Sequence, residues 1–157
     1  MKTKHIAIAA IVAALYVVLT LPLGPLATSN FINVRPSEAL TLLPLLSPAA
    51  IPGLFIGCLI SNIPSAFGIW DILFGSMVTL VAAILTKFSR NAWIGGIFPV
   101  LLNAIFLPLI FILSGLEEAY WMLFLSILLT QTIWVYGLGI PLYYFCKHKK
   151  VFEPKKI

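Results

Sequence analysis

Charge is almost absent from the long apolar stretches of this chain, and that absence constrains the fold more than any motif does. Between Ile6 and Thr86 only Arg35, Glu38 and Asp71 are charged, and between Ala92 and Cys146 only Glu117 and Glu118 are. Of the 157 residues 61% are hydrophobic and 10% are charged, where an ordinary soluble domain has about 25% charged residues. So few charges do not cover a water-facing surface, which excludes a soluble enzyme, a nucleic-acid-binding domain and a disordered chain. The expected fold class is all-α and integral to a membrane. At about 20 residues per span, the length accommodates one bundle of five or six helices and no separate soluble domain.

Pro, Gly and polar clusters divide the apolar sequence into six expected helices, at about 5–23, 36–46, 48–65, 69–88, 92–114 and 119–146, in a single transmembrane domain over 1–157. The first run is longer than a signal-peptide core and no A-x-A site follows it, so it reads as a retained helix. Pro22, Gly24 and Pro25 end it, and a polar stretch through Thr28, Ser29, Asn30 and Asn33 follows. The segment 24–35 is a candidate outer lid loop. The second helix is short. Its eleven residues rise only ~16 Å as an α-helix, against a hydrocarbon core of ~30 Å, so irregular chain buried in protein has to extend it. Ser47 is placed to cap the third helix, with Pro48 just inside.

The net charge is +5, but its placement matters more than its size. Nine of the ten Lys and Arg residues fall at the N-terminus, at Lys87 to Arg90, and in the tail from Lys147. With six spans these clusters share one side, and the positive-inside rule makes that side, and both termini, cytoplasmic. Glu117 and Glu118 then face outward. Trp70, Tyr120 and Trp121 fall at the outer interface, and Trp93, Tyr143 and Tyr144 at the inner one. Cys58 and Cys146 form no C-x-x-C pattern and read as small apolar residues rather than as zinc ligands or a disulfide.

The few polar groups in apolar sequence are the candidate site. A carboxylate at the centre of a membrane helix costs ~2.5–3.5 kcal/mol, so it is paired or lines an aqueous cavity. Arg35 and Glu38 stand three apart and either pair with each other or meet a ligand beneath the lid. Asn103 is eleven residues into the fifth helix and Gln131 twelve into the sixth, which places both ~16–18 Å deep, near the midplane. Such amides either link helices or floor a polar pocket walled by Asn62, Glu38 and Asp71. A pocket with one cation and several carboxylates suits a cationic or donor-rich solute better than an anion. Trp134 either packs or stacks on a flat ring. Small residues recur at Ala9-x-x-x-Ala13, Ala10-x-x-x-Ala14 and Gly53-x-x-x-Gly57. That spacing allows close helix approach, within the bundle or to another membrane protein. No H-E-x-x-H, G-x-S-x-G or nucleotide-binding motif occurs, so uptake needs ion coupling or a separate ATPase.

Several segments resemble one family. The run from His5 to Thr20 is similar to the first helix of QueT-type proteins, the predicted queuosine-precursor transporters. Asn33-Val-Arg-Pro-Ser-Glu-Ala-Leu-Thr-Leu-Leu-Pro44 resembles their signature after the first loop. Ala50-Ile-Pro-Gly-Leu-Phe-Ile-Gly-Cys-Leu-Ile-Ser-Asn62 and Asp71-Ile-Leu-Phe-Gly-Ser76 are also similar. The resemblance implies an S component of an energy-coupling factor (ECF) importer in the bacterial cell membrane. Such a protein has six helices with both termini inside and captures solute under the loop after helix one. It associates with the coupling protein EcfT and two cytoplasmic ATPases. ATP is used by those partners, and no cofactor belongs to this chain. The resemblance also implies that the alanine motif of helix one, Ala9 and Ala13 or the register Ala10 and Ala14, contacts the coupling protein; by their spacing alone, Gly53 and Gly57 are further docking candidates. The implied solute is a deazaguanine, and the negative pocket favours its aminomethyl form. Arg35, Glu38, Asn62, Asp71, Asn103 and Gln131 are the candidate binding residues. The alternatives are an S component for another vitamin or nucleobase, and a self-sufficient secondary transporter.

Overall fold

The structure is a computed structural model and describes residues 2–27 and 34–152. Helix α1 covers Lys2–Thr20. It tightens into a 3₁₀ segment, Leu21–Leu26, that bends at Gly24, whose φ of 47° and ψ of −123° suit a residue without a Cβ. Thr28 to Asn33, the polar part of the expected lid, lies outside the described residues. The feet of that loop are joined, since Val34 N–H donates to the Leu26 carbonyl at 3.0 Å.

Pro36–Leu45 follows as a 3₁₀ helix rather than the expected α-helix. At ~2.0 Å per residue, its ten residues rise ~20 Å, which is still short of a bilayer core. Two features account for the tighter winding. Pro44 has no N–H to continue a helical ladder, and the segment is the axis of the bundle. Every residue from Ser37 to Pro44 is buried. Helices on all sides pack on this segment, and one glycine, Gly139, comes so close that a Cβ there would lie 3.0 Å from the Ala39 carbonyl oxygen. A slimmer coil fits that space.

Helix α2, Ala50–Ser61, is shorter than the expected 48–65. Ser47 does not cap it. Ala49 precedes the helix without a side-chain cap, and backbone turns from Ala50 and Ile51 to the Ser47 and Pro48 carbonyls take that role. Pro64 prevents continuation at the other end. Helix α3, Gly68–Lys87, carries a π-wound turn at Asp71–Gly75. Helix α4, Ala92–Leu113, is capped by Asn91, whose side chain accepts from Ile94 N–H at 2.9 Å. Helix α5, Tyr120–His148, has a second π-wound stretch at Ile133–Gly139. Such irregular turns inside helices frequently mark functional sites.

The expected segments therefore occur in order, but four of them have the length and apolarity to cross a membrane. These are Thr3–Gly24, Gly68–Lys87, Ala92–Leu113 and Tyr120–His148. The 3₁₀ helix is enclosed by the bundle, whereas α2 packs on it and on α1 with one face, bearing Ile56 and Ile60, exposed. The distribution of side chains is inverted relative to a soluble protein. Val18, Leu125 and Leu129 are more than half exposed, while Arg35, Glu38 and Asp71 are buried to 3%, 1% and 1% exposure. Large apolar faces of this extent suit lipid, not water.

Candidate functional site

Helix direction brings the site together. The chain alternates in direction, so the C-terminal ends of α1 and α2, the start of the 3₁₀ helix and the start of α3 meet at the end of the bundle opposite Lys87, Arg90 and Lys147. Five of the six candidate binding residues form two linked polar groups there, reaching down to the midplane.

The first group is centred on Arg35. Its Nε donates to the Ala27 carbonyl at 2.8 Å and its Nη2 to Asn62 Oδ1 at 2.9 Å. Its Nη2 also stands 3.8 Å from Asp71 Oδ2. Asn62 Nδ2 donates to the Asp71 carbonyl at 3.0 Å, and Ser65 Oγ donates to Asp71 Oδ2 at 2.6 Å. Arg35 thus ties the foot of the lid loop to the turn between α2 and α3. It pairs across the bundle with Asp71, and the local pairing with Glu38 is not formed. The turn is pinned to α4 by Phe67, whose ring stacks on Phe111 at 3.9 Å between centroids.

Glu38 anchors the second group. Oε1 accepts from Tyr16 O–H at 2.7 Å and Oε2 from Asn103 Nδ2 at 3.3 Å. Beside it the Thr20 and Ser37 hydroxyls are 2.7 Å apart. Tyr16 and Asn103 are neutral donors, and among the described residues no Lys, Arg or His lies within ion-pair distance of the Glu38 carboxylate. Counting Arg35 against Glu38 and Asp71, the cluster has a formal charge of −1.

Gln131 lies on the face of α5 between Ile127 and Val135, which pack against the levels of Ala104 and Val100 on α4. It is therefore level with Asn103, as the depth arithmetic predicts. Its side chain is buried, and Oε1 has no hydrogen-bond partner. Ser61 Oγ and Ser76 Oγ are buried and unpartnered as well. The expected open pocket is not where the candidates meet, because Arg35, Asn62 and Asp71, like Glu38 and Asn103, contact one another directly. A cavity of about 350 Å³ lies beside them instead, lined by Thr20, Leu21, Gly24, Ala27, Ser61, Pro64 and Ala66. Its wall includes Ser61 and the foot of the lid loop.

Several site residues escape a reading by charge alone. Tyr16 and Thr20 continue the stripe Ala9, Ala13 along the inward face of α1, so spacing marks them as interior but not as partners of Glu38 and Ser37. Gly75 is the other omission. A Cβ there would lie 2.5 Å from Asp71 Oδ1 and 3.2 Å from Asn62 Nδ2. The glycine leaves room for the carboxylate inside the π-wound turn. Gly75→Ala is expected to push Asp71 off Ser65 and Asn62 and to lower stability by about 1–3 kcal/mol, measured by thermal unfolding in detergent. Gly68→Ala, with open space around its Cβ, makes a steric control for the same helix, although its φ of 58° adds a local backbone cost of its own.

The docking candidates split into two faces. A Cβ on Gly53 would sit 2.6 Å from the Ala9 carbonyl oxygen, and one on Gly57 would sit 2.7 Å from Tyr16 Cβ and 3.1 Å from the Ala13 carbonyl oxygen. Gly53, Gly57, Ala9 and Ala13 thus form the seam between α1 and α2, where small residues let the backbones touch. Gly53 and Gly57 are buried and Ala9 and Ala13 half-buried, whereas Ala10 and Ala14 are exposed.

Fold and site together define a multi-pass α-helical membrane protein with a buried, charged cluster at one end. Residues 6–148 match the family model described as QueT transporter. The chain belongs to the QueT transporter family, and it is accordingly a membrane transport protein rather than an enzyme. No curated protein and no solved structure matches it.

Proposed function

We propose that this chain is the solute-binding S component of an ECF-type importer and that it captures a queuosine precursor, the aminomethyl deazaguanine, from outside the bacterial cell membrane. In this reading all six helical segments form one transmembrane domain with both termini cytoplasmic. EcfT and two ATPases supply coupling and ATP hydrolysis. Family membership supports the transport role, and the lack of a nucleotide-binding motif in the sequence is in keeping with a borrowed energy source.

One observation carries the choice of solute. Glu38 is a buried carboxylate held by neutral donors, in a cluster with a formal charge of −1. A buried charge without a counter-charge is costly, and an ammonium group supplies that counter-charge. The purine-like edge of a deazaguanine is rich in N–H donors. Gln131 Oε1 and Ser61 Oγ are buried acceptors without partners, and carboxylate acceptors add charge-assisted bonds. The cavity beneath the lid foot provides the way in. Arg35, bonded both to Ala27 and to Asn62, links the foot of the expected lid to the cluster. On the partner side, the exposed register Ala10 and Ala14 is the face of α1 open to EcfT.

Calorimetric titration of the purified protein with the aminomethyl and cyano deazaguanines tests the solute. Glu38→Gln is expected to weaken the aminomethyl compound roughly 30- to 100-fold, as removal of one charge-assisted contact worth about 2–3 kcal/mol does, and to leave the cyano compound much less affected. Equal weakening of both, or none, is incompatible with an ammonium at Glu38.

A further inference from the structure

One buried polar group has no structural role in the bundle. From Leu123 to Gly139 the buried residues of α5 recur every four positions, at Leu123, Ile127, Gln131, Val135 and Gly139. All but one are apolar or glycine. The exception is Gln131, 1% exposed, whose Oε1 has no hydrogen-bond partner. The π-wound stretch Ile133–Gly139 keeps Val135 and Gly139 in line with it, because a π turn holds more residues than an α turn and positions four apart drift less around the axis. The line faces α4 and the 3₁₀ helix. A Cβ on Gly96 would lie 3.1 Å from Val135 Cγ1, and one on Gly139 would lie 3.0 Å from the carbonyl oxygen of Ala39, the residue after Glu38. Leucine or methionine would fill position 131 without burying an acceptor that lacks a donor.

Helix α4 carries a second acceptor of this kind. Pro108 has no N–H to give to the carbonyl four residues back, that of Ala104. The other proline of α4 shows how such a gap is closed: the Gly95 carbonyl, freed by Pro99, accepts from Thr86 Oγ1 at 3.0 Å. Among the described residues no side chain does the same for Ala104. Ala104 is fully buried and shares a packed cluster with Ile127, one turn from Gln131.

We propose that Gln131, with the Ala104 carbonyl, reads the N–H edge of the solute ring, its ring N–H and exocyclic amine, and selects a solute that carries both donors. The proposal rests on the solute reading above and places the ring edge at α4 and α5, where that reading places the ammonium at Glu38. Two acceptors without donors match two adjacent donors. A site built to hydrogen-bond such an edge rejects an analogue that lacks a donor, since its own buried groups then stay unpaired.

Thermal unfolding and calorimetry of the full chain in one detergent test the assignment. Gln131→Met nearly keeps the volume and removes the amide. Without solute it is expected to unfold roughly 3 °C above the parent protein, because an unpaired polar group gives way to an apolar one. It should bind the aminomethyl and cyano deazaguanines both roughly 10- to 30-fold more weakly, since the two share the ring edge. On the parent protein, the aminomethyl compound without its exocyclic ring amine should lose roughly 10- to 30-fold in affinity, and that penalty should shrink to about threefold in Gln131→Met. Gln131→Leu repeats the comparison with a second apolar side chain. A lowered midpoint in both variants overturns the inference, because Gln131 would then hold the fold. Parent-like affinity in both variants overturns it too, as does a loss confined to the aminomethyl compound, which would put Gln131 at the ammonium. Each of these results leaves the solute reading standing. If the parent protein binds neither deazaguanine, the solute reading fails and this inference falls with it.

Discussion

Asp71→Ala is expected to destabilise the protein by about 3–5 kcal/mol, the cost of leaving one member of a buried ion pair without its partner. For a chain of this size that lowers the unfolding midpoint by roughly 10 °C. The reason lies in Arg35. It is 3% exposed, and its remaining partners, the Ala27 carbonyl and Asn62 Oδ1, are neutral. Ser65 also loses the carboxylate oxygen it donates to, while Asn62 keeps the Asp71 main-chain carbonyl. Replacing both charges, Arg35→Met with Asp71→Leu, should recover most of the loss, because apolar residues of similar volume often replace a buried pair without cost. Thermal unfolding of the three proteins in one detergent makes the comparison. A midpoint for Asp71→Ala within a degree of the parent protein would mean that Arg35 does not depend on Asp71. The double variant has a second use. If it is stable yet no longer binds solute, the pair acts in capture; if it binds normally, the pair is a structural tie between the lid foot and the turn before α3.

The sequence marks these residues because the background is so apolar. Three charges between Ile6 and Thr86 are visible without any motif, and the helical rise places Asn103 and Gln131 at one depth. What spacing does not reveal is partnership. Arg35 and Glu38 are neighbours by i,i+3 spacing, yet Arg35 precedes the 3₁₀ helix with a non-helical φ of −123° and ψ of 81°, and the fold of the chain gives the two side chains different partners, Asp71 and Tyr16. The choice depends on where α3 begins relative to α2, which is set by the turn from Asn62 to Gly68. Neutral members of the site are legible only as interior positions. Tyr16 and Thr20 look like any residues on the inward face of α1, and Gly75 looks like a small residue in a helix. The short second segment is a clearer case. Its length already excludes a simple span and Pro44 is a local contribution to its winding, but its enclosure by α1, α3, α4 and α5 is not encoded by local propensity.

Gly57→Val and the pair Ala10→Trp with Ala14→Trp are expected to fail in opposite ways. At Gly57 a side chain meets Tyr16 Cβ at 2.7 Å and the Ala13 backbone. Neither yields easily, so α1 must move away from α2. Overpacking of this kind costs about 3 kcal/mol. The displacement also draws Tyr16 O–H away from Glu38, which it now meets at 2.7 Å, so solute affinity should fall together with stability. At Ala10 and Ala14 the side chains are exposed, and larger ones enter lipid. Stability should change by no more than about 0.5 kcal/mol and solute binding not at all, while co-purification with EcfT is lost. The contrast separates two uses of small residues on one helix. The face bearing Ala9 and Ala13 is occupied by α2, which makes Gly53 and Gly57 part of the seam that holds the site. Only the neighbouring register remains open to a second membrane protein. A complex with EcfT that survives both tryptophans would remove α1 as the docking face, whereas a complex lost through Gly57→Val alone would mean that the partner recognises the packed α1 and α2 pair as a unit.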